Sequence, residues 1–161
     1  MKDKKRDKTD PVIATHHEAR RDYEILESFE TGIVLNGAEV KSLRGHKASF
    51  NASFARLDGG ELFLYNLYIA PYDKAGPVGT TEATRPRKLL VHRSEINRLA
   101  VKTQEKGLVL VPLKLYFNAG GIAKLELGVG KGKKHFDRRA DIKERTSKRD
   151  IDRAIKNRNR K

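Results

Sequence analysis

Apolar and polar residues alternate along this chain most regularly between residues 122 and 129. Successive side chains of a β-strand point to opposite faces, so the apolar positions of this stretch would face a core together. These inward positions are Ala123, Leu125, Leu127 and Val129. Lys124 would then lie on the outer face of the sheet, as expected for a strand that is buried on one side only.

A β-hairpin is predicted from Phe54 to Ile69, because Asp58-Gly59-Gly60 supplies residues that tolerate the positive φ angles of a tight turn. Pro112 cannot donate a hydrogen bond to a neighbouring strand, so it marks an edge or a bulge in the strand that contains it. The remaining strands are predicted at residues 23–35, 88–91 and 108–117.

Two short helices are predicted between these strands. The first places three apolar residues near one face, namely Ala38, Val40 and Leu43. The second would have Ser94 as its N-cap, because the hydroxyl can accept a hydrogen bond from the first turn. Its buried stripe would consist of Ile96, Leu99 and Ala100. These elements indicate a mainly β fold, a closed antiparallel β-barrel of the oligonucleotide-binding (OB-like) type with short flanking helices, although a half-open sandwich fits the same periodicity.

The positive charge of the chain, +14 in total, lies mainly at its two ends. Residues 131–161 contain fourteen Lys or Arg against five Asp or Glu, and residues 1–9 contain five against two. We therefore expect a disordered basic arm at 1–10, a barrel at 11–130 and a basic tail at 131–161 that is disordered alone and helical on a partner. Such charged ends can follow the phosphates of a nucleic acid.

The length of 161 residues suits one domain with tails, and the chain contains no cysteine. Disulfides are therefore excluded. The sequence has neither a secretory signal nor an apolar run that could span a membrane, which favours a cytoplasmic protein without membrane contact. We expect it to be a monomer.

No catalytic, metal or cofactor site is apparent in the sequence. The histidines lack the spacing typical of helical zinc ligands. Gly128, Gly130 and Gly132 do not match a phosphate-binding loop, and they predict a flexible exit from the last strand. The run at 132–139 differs, because it interleaves basic residues with Phe136, whose ring can stack on a base.

Four motifs follow one another along the chain: Glu39-Val40-Lys41-Ser42-Leu43-Arg44, Arg87-Lys88-Leu89-Leu90, residues 107–116, and Lys131-Gly132-Lys133-Lys134 with Asp137-Arg138-Arg139. In this order and spacing they make the chain resemble the SmpB (small protein B) family over roughly residues 13 to 155. The resemblance implies an OB barrel that holds the tRNA-like domain of transfer-messenger RNA (SsrA RNA). It also implies delivery of that RNA to stalled ribosomes in trans-translation, which rescues the ribosome and tags the unfinished peptide.

The resemblance further implies RNA contacts at Glu30, Leu90 and Lys124. Glu30 would accept hydrogen bonds from nucleotide edges or sugar hydroxyls, Leu90 would pack under a base, and Lys124 would neutralise a phosphate. By residue type alone Leu90 would be a core residue. His16 stands where the family usually has Asn, and its ring nitrogens can still donate or accept a hydrogen bond.

The tail is implied to enter the vacant messenger channel near the decoding centre and to contact ribosomal RNA. The residues assigned to these contacts are Lys131, Lys133, Lys134, His135, Phe136, Asp137, Arg138, Arg139, Lys143, Arg145, Arg149 and Arg153. Phe136 replaces the His or Tyr of the family, which keeps stacking but removes a polar contact.

Two other functions fit parts of the sequence. A general RNA-binding or ribosome-associated protein of the OB type is supported equally well by the charge alone. An RNA-processing enzyme is the third alternative, and it would require carboxylates that converge on a metal ion.

Overall fold

The computed structural model describes residues 12–74, 76, 82–104 and 107–158. The predicted arm at 1–10 and the last three residues of the tail lie outside the described residues. The strands are β1 (Val12–Thr15), β2 (Tyr23–Ile33), β3 (Ala48–Asp58), β4 (Glu61–Ile69), β5 (Arg87–Leu90), β6 (Leu108–Phe117) and β7 (Ala123–Gly132). The helices are α1 (Ala19–Asp22), α2 (Gly37–Arg44), α3 (Arg93–Gln104) and α4 (His135–Arg158).

Six of the strands close into an antiparallel barrel, which confirms the predicted fold class. Their order around the barrel is β6-β3-β4-β5-β2-β7, and β6 pairs again with β7 to complete the circle. The strand β1, which the sequence pattern did not predict, extends the sheet outside this circle by pairing with β6. Closure removes the free edges that an open sheet would expose.

The barrel interior is filled by apolar side chains from alternate positions of its strands. The predicted inward set of β7 is buried, with none of its members more than 7% exposed: Ala123, Leu125, Leu127 and Val129. Leu43 of α2 and Leu99 of α3 are fully buried in the same core. The two short helices therefore cover the barrel interior. Of the predicted buried stripe of α3, however, only Leu99 is buried, whereas Ile96 and Ala100 are half-buried.

Two local predictions, the hairpin turn and the bulge, are confirmed, and the predicted N-cap is not. Gly59 and Gly60 form the hairpin turn with φ angles of +57° and +76°. At Pro112 the register of β6 against β7 shifts, which is the predicted bulge. The N-cap prediction for Ser94 was wrong, because α3 already begins at Arg93. The first turn is instead closed by the Glu95 carboxylate, which accepts from the backbone N–H of residue 92 at 3.1 Å.

Gly128 and Gly130 do not form a flexible exit, and that prediction was wrong. Both are buried within β7. A Cβ at Gly128 would lie 3.0 Å from Leu113, and one at Gly130 would lie 3.1 Å from Ile25. The missing side chains allow these two residues to pack flat against the outside of the sheet. The side chains that they contact, Leu113 and Ile25, belong to a second apolar cluster together with Ala19, Tyr23 and Val111.

The start of the tail is attached to the barrel. Because β7 runs to Gly132, Lys131 lies on the last strand rather than in a separate tail. The backbone N–H of Lys133 donates to the carbonyl of Asp22 at 2.9 Å, and its Nζ donates to the carbonyl of Arg20 at 3.3 Å. Helix α4 follows and has 24 residues, a length of about 36 Å. That the tail is disordered alone and becomes helical on a partner stays a prediction.

Candidate nucleic-acid interface

Three neighbouring strands bring the expected RNA contacts together on the outer face of the barrel. Gly32 of β2 is the register partner of Leu90 on β5 and of Lys124 on β7. Glu30 lies two residues before Gly32 and therefore on the same face of β2. Thr31 and Ile33, which alternate with them, are buried in the interior. The sheet register thus places Glu30, Leu90 and Lys124 side by side.

The Glu30 carboxylate is held in place by two neighbouring side chains. Lys124 Nζ lies 3.2 Å from Glu30 Oε1, and the Tyr116 hydroxyl donates to Glu30 Oε2. The Glu30 side chain is nevertheless 50% exposed. Its oxygens can accept further hydrogen bonds, since a carboxylate offers about four lone-pair sites. The cation beside it offsets the repulsion that a bare carboxylate would exert on an RNA phosphate.

Leu90 is an exposed apolar residue, with 52% of its surface open to solvent. The interpretation of Leu90 as a core residue, which its type alone favoured, is therefore wrong. Gly32 makes this position possible, because a Cβ there would lie 3.1 Å from the Cβ of Leu90. Leu90 accordingly lies against the backbone of β2 and presents an apolar surface to solvent beside two charged groups.

These residues line a single open cleft of about 480 Å³, which we call the barrel cleft. Its lining residues are Glu30, Gly32, Leu90, Val91, His92, Glu95 and Lys124. All three RNA contacts that the family resemblance implies for the barrel surface are thus in one place. Sequence reasoning missed five contributors: Gly32, Val91, His92, Glu95 and Tyr116. Of these, only Tyr116 could have been found from the sequence, because the alternation of β6 places it on the outer face of the barrel.

A buried ion cluster holds the strand that carries Leu90. Arg87 of β5 is fully buried, and its Nε donates to Glu39 Oε1 at 2.9 Å. Its Nη1 and Nη2 donate to the carbonyls of Leu67 and Ala83 at 2.6 and 3.0 Å. Arg85 Nη2 also donates to Glu39 Oε2 at 2.6 Å. These partners satisfy the buried charges. The ion pair between Glu39 and Arg87 joins α2 to β5, so the two sequence motifs that contain these residues have a structural role.

The protonation of Glu39 follows from the same contacts. Burial by itself would raise the pKa of Glu39, but hydrogen bonds from Arg85, from the backbone N–H of Asn36 and from Arg87 outweigh it. The pKa of Glu39 therefore lies below its ordinary value of 4.5. Burial lowers the pKa of Arg87, and the charge of Glu39 opposes that shift. The carboxylate is thus ionised near neutral pH.

His16 does not lie in the barrel cleft. Its side chain is buried, and Nδ1 lies 2.8 Å from the carbonyl oxygen of Pro112. Its ring stacks on Phe50 with centroids 5.4 Å apart. These contacts fix the chain where β1 ends beside the bulge in β6. The structure therefore accounts for His16 through packing, and its contact with RNA stays a prediction.

The basic residues of the tail do not line the barrel cleft, and they lie at the end of β7, in the connection that follows it and on α4. Those whose exposed side chains the structure describes are Lys131, Lys134, Arg139, Lys143, Arg149 and Arg153, while Lys133 is half-buried against α1. For the remaining predicted contacts, the structure describes only the helical backbone: His135, Phe136, Asp137, Arg138 and Arg145. Arg153 pairs with Asp150 at 3.8 Å, an exposed pair within one helical turn.

The described residues contain neither a metal-binding cluster nor a membrane-spanning helix. No three His, Asp or Glu side chains in that part of the chain converge at a spacing suited to a metal ion. None of the helices that the structure describes combines the length and the apolar composition of a membrane span.

Comparison with known proteins gives a consistent result. The family described as SmpB protein matches residues 13–157. The SsrA-binding protein of Pelotomaculum thermopropionicum is 54% identical over 147 residues, which cover 91% of this chain and 95% of that protein. The SsrA-binding protein of Chloroflexus aurantiacus is 52% identical over 145 residues, 90% of each chain.

The fold is shared with a solved structure. A chain of the structure described as "tmRNA-SmpB: a journey to the center of the bacterial ribosome" is 55% identical to this chain. The alignment covers 75% of this chain and 84% of that one, with a TM-score of 0.63.

Proposed function

This chain belongs to the SmpB family, and on that premise we propose that it binds the tRNA-like domain of transfer-messenger RNA. It delivers this RNA to stalled ribosomes for trans-translation, in which the ribosome is rescued and the unfinished peptide is tagged. The relatives at about 50% identity are named for binding SsrA RNA, and the structural neighbour is named for that RNA and the ribosome. The protein acts in the cytoplasm, as a binding protein without a catalytic step.

The observation that carries the proposal is the barrel cleft. It combines a preorganised acceptor, Glu30, with an apolar surface, Leu90, and a cation, Lys124. RNA presents base edges, 2′-hydroxyls and unstacked base faces, and these are the groups that such a cleft can contact. The cleft is formed by rigid strands, so its three side chains keep their spacing before RNA arrives.

The tail has a separate role in the proposal. Helix α4 is about 36 Å long, and its described side chains are exposed. Its basic residues contact ribosomal RNA in the vacant messenger channel, near the decoding centre. Electrostatic contacts with phosphates offset the entropy cost of ordering a helix that is only marginally stable by itself.

The first test compares RNAs. In a gel-shift titration, transfer-messenger RNA is expected to bind far more tightly than a structured RNA of equal length, with a steep dependence on salt. Equal affinity for both RNAs would contradict the specific proposal and favour a general RNA-binding protein.

The second test separates barrel from tail. Because β7 ends at Gly132 and Lys133 bonds to α1, the truncation should remove residues 135–161 and keep the sheet intact. We expect the truncated protein to retain binding to transfer-messenger RNA and to lose peptide tagging on stalled ribosomes. Loss of most RNA affinity in the truncated protein would instead indicate a general binder that depends on tail charge.

A further inference from the structure

A second aromatic surface lies on the hairpin, outside the barrel cleft. Phe54 and Tyr65 stack with ring centroids 5.2 Å apart and planes 11° from parallel. Phe54 is 40% exposed, although burial of a ring of this size would be favourable. The guanidinium of Arg56 lies 5.0 Å from the Tyr65 ring centroid. This arrangement presents a flat apolar face with a cation next to it.

Phe54 and Arg56 also form one wall of an apolar cleft of about 310 Å³, which we call the hairpin cleft. Tyr23, Thr103 and Val109 lie on its other sides. Its floor consists of buried residues, namely Ala55, Leu110 and Val111. The volume is at the lower end of the range of roughly 300 to 1,000 Å³ that is typical of small-molecule sites.

The cleft exists because the barrel is weakly joined at this point. Ala55 and Leu110 are the single register pair between β3 and β6, whereas β6 and β7 pair along most of their length. The register of β3 against β4 also shifts between Phe50 and Phe54, and Ala52 in this segment has a φ of +52°. Because a single register pair joins β3 to β6 here, side chains from both strands flank an opening.

From this geometry we infer that the hairpin cleft binds one unpaired nucleobase of an RNA, stacked on Phe54. The inference rests on the proposed function only in taking the ligand to be RNA. Its site is separate from Glu30, Leu90 and Lys124. Every base has a flat π-face, so an exposed ring can bind it without reading its sequence. Thr103 also lines the cleft, and its hydroxyl, which donates to the carbonyl of Leu99 at 2.9 Å, can still accept a hydrogen bond.

The charges around the hairpin cleft favour a base over a phosphate. Arg56 Nη2 lies 3.4 Å from Asp58 Oδ2, and the Tyr65 hydroxyl donates to the same oxygen at 3.2 Å. Asp58 therefore balances the guanidinium charge and holds Arg56 over the Tyr65 ring. The salt dependence of RNA binding comes from counterions that are released when a protein cation neutralises a phosphate. Stacking of a base on Phe54 neutralises no phosphate, so it should not change that salt dependence.

The absence of tryptophan from the sequence allows a direct test. Phe54→Trp introduces a single indole, whose emission should be quenched when saturating transfer-messenger RNA stacks a base on it. Tyr68→Trp is the matched control, because Tyr68 is also 40% exposed and does not line the cleft. Quenching in the first variant alone supports the inference. Unchanged emission in a complex that a gel shift shows to be saturated overturns it and leaves the proposed function intact.

A second measurement uses affinity. Phe54→Leu keeps an apolar side chain but loses the ring, and we expect it to weaken binding of transfer-messenger RNA roughly five- to a hundredfold. Phe54→Tyr should bind like the wild type, and both variants should keep the wild-type dependence of log K on log salt. Wild-type affinity of Phe54→Leu, or a smaller salt slope, overturns the inference. Quenching of Phe54→Trp by RNA-free ribosomal protein, but not by RNA, assigns the cleft to a protein partner and also overturns it.

Discussion

Glu39 and Glu30 both pair with basic side chains that are distant in sequence, but only Glu30 is open to solvent. Glu39 is 5% exposed and accepts hydrogen bonds from two arginines. Glu30 is bonded to Lys124 and Tyr116, and half of its side chain is open to solvent. Removing a partner from a buried charge is costly, whereas an exposed pair contributes little to folding. The ion pairs of Glu39 therefore stabilise the fold, whereas the carboxylate of Glu30 remains accessible to a ligand.

The largest expected effect is on stability and comes from the buried cluster. Arg87→Ala should lower the free energy of unfolding by about 3–5 kcal/mol, because it leaves Glu39 buried with fewer partners. Lys88→Ala, on the next residue, changes an exposed pair with Glu61 and should cost no more than about 1 kcal/mol. Urea denaturation of both variants measures the difference. Equal losses of unfolding free energy in the two variants would contradict the conclusion that the buried ion pair stabilises the fold more than the exposed one.

The next largest effect is on RNA affinity. Glu30→Gln keeps the size of the side chain but removes its charge, and hydrogen bonds to a charged group contribute about 1.5–3 kcal/mol. We expect a loss of affinity for transfer-messenger RNA of roughly tenfold or more, with unchanged unfolding. Glu27→Gln is the control, since Glu27 also lies on β2 and pairs with Lys102, but does not line the barrel cleft. Similar losses of RNA affinity in the two variants would contradict the assignment of Glu30 as an RNA contact.

A smaller effect should appear in acid. The folded-state pKa of Glu39 is lowered, so its ionised form favours the native state. This contribution is complete above the ordinary value of about 4.5 and is lost as the pH falls through the lower folded-state pKa. The unfolding free energies of wild type and Glu39→Gln should therefore converge below pH 4.5, as measured by urea denaturation across pH. A constant difference between them would contradict the assignment.

The smallest effect on folding is expected at Lys124. Lys124→Ala should change the unfolding free energy by at most about 1 kcal/mol, because its pair with Glu30 is partly exposed. If Lys124 also contacts a phosphate, the slope of log K against log salt should fall by about one. Lys102→Ala, which removes the lysine paired with Glu27, should leave that slope unchanged. A fall in both variants would indicate a general effect of charge.

Periodicity predicted much of the barrel because its strands are buried on one face. The alternation of β7 identified both the buried set and the outward position of Lys124, and Asp58-Gly59-Gly60 located the hairpin turn. These are local properties, and the sequence displays them directly. The strand β1 was missed because four residues do not establish a period.

The features that depend on register were not predictable in the same way. Arg87 is buried because Glu39, 48 residues earlier, supplies its counter-charge, and nothing near Arg87 in the sequence indicates that. Gly128 and Gly130 were interpreted as flexible, but side chains from β2 and β6 occupy the space above them. The family resemblance proposed Glu30, Leu90 and Lys124 as RNA contacts, and the strand register explains why these three residues lie together.

The strand β7 has a consequence for how the chain reaches its native state. It pairs with β2, about a hundred residues earlier, and with β6. Contacts between such distant segments form slowly, because a long loop must close before they can stabilise anything. Until residues 123–132 have been synthesised, β2 and β6 each lack a neighbour, and unpaired strand edges promote aggregation. A nascent chain interrupted before this strand is therefore expected to depend on chaperones, and the barrel assembles only near the end of translation.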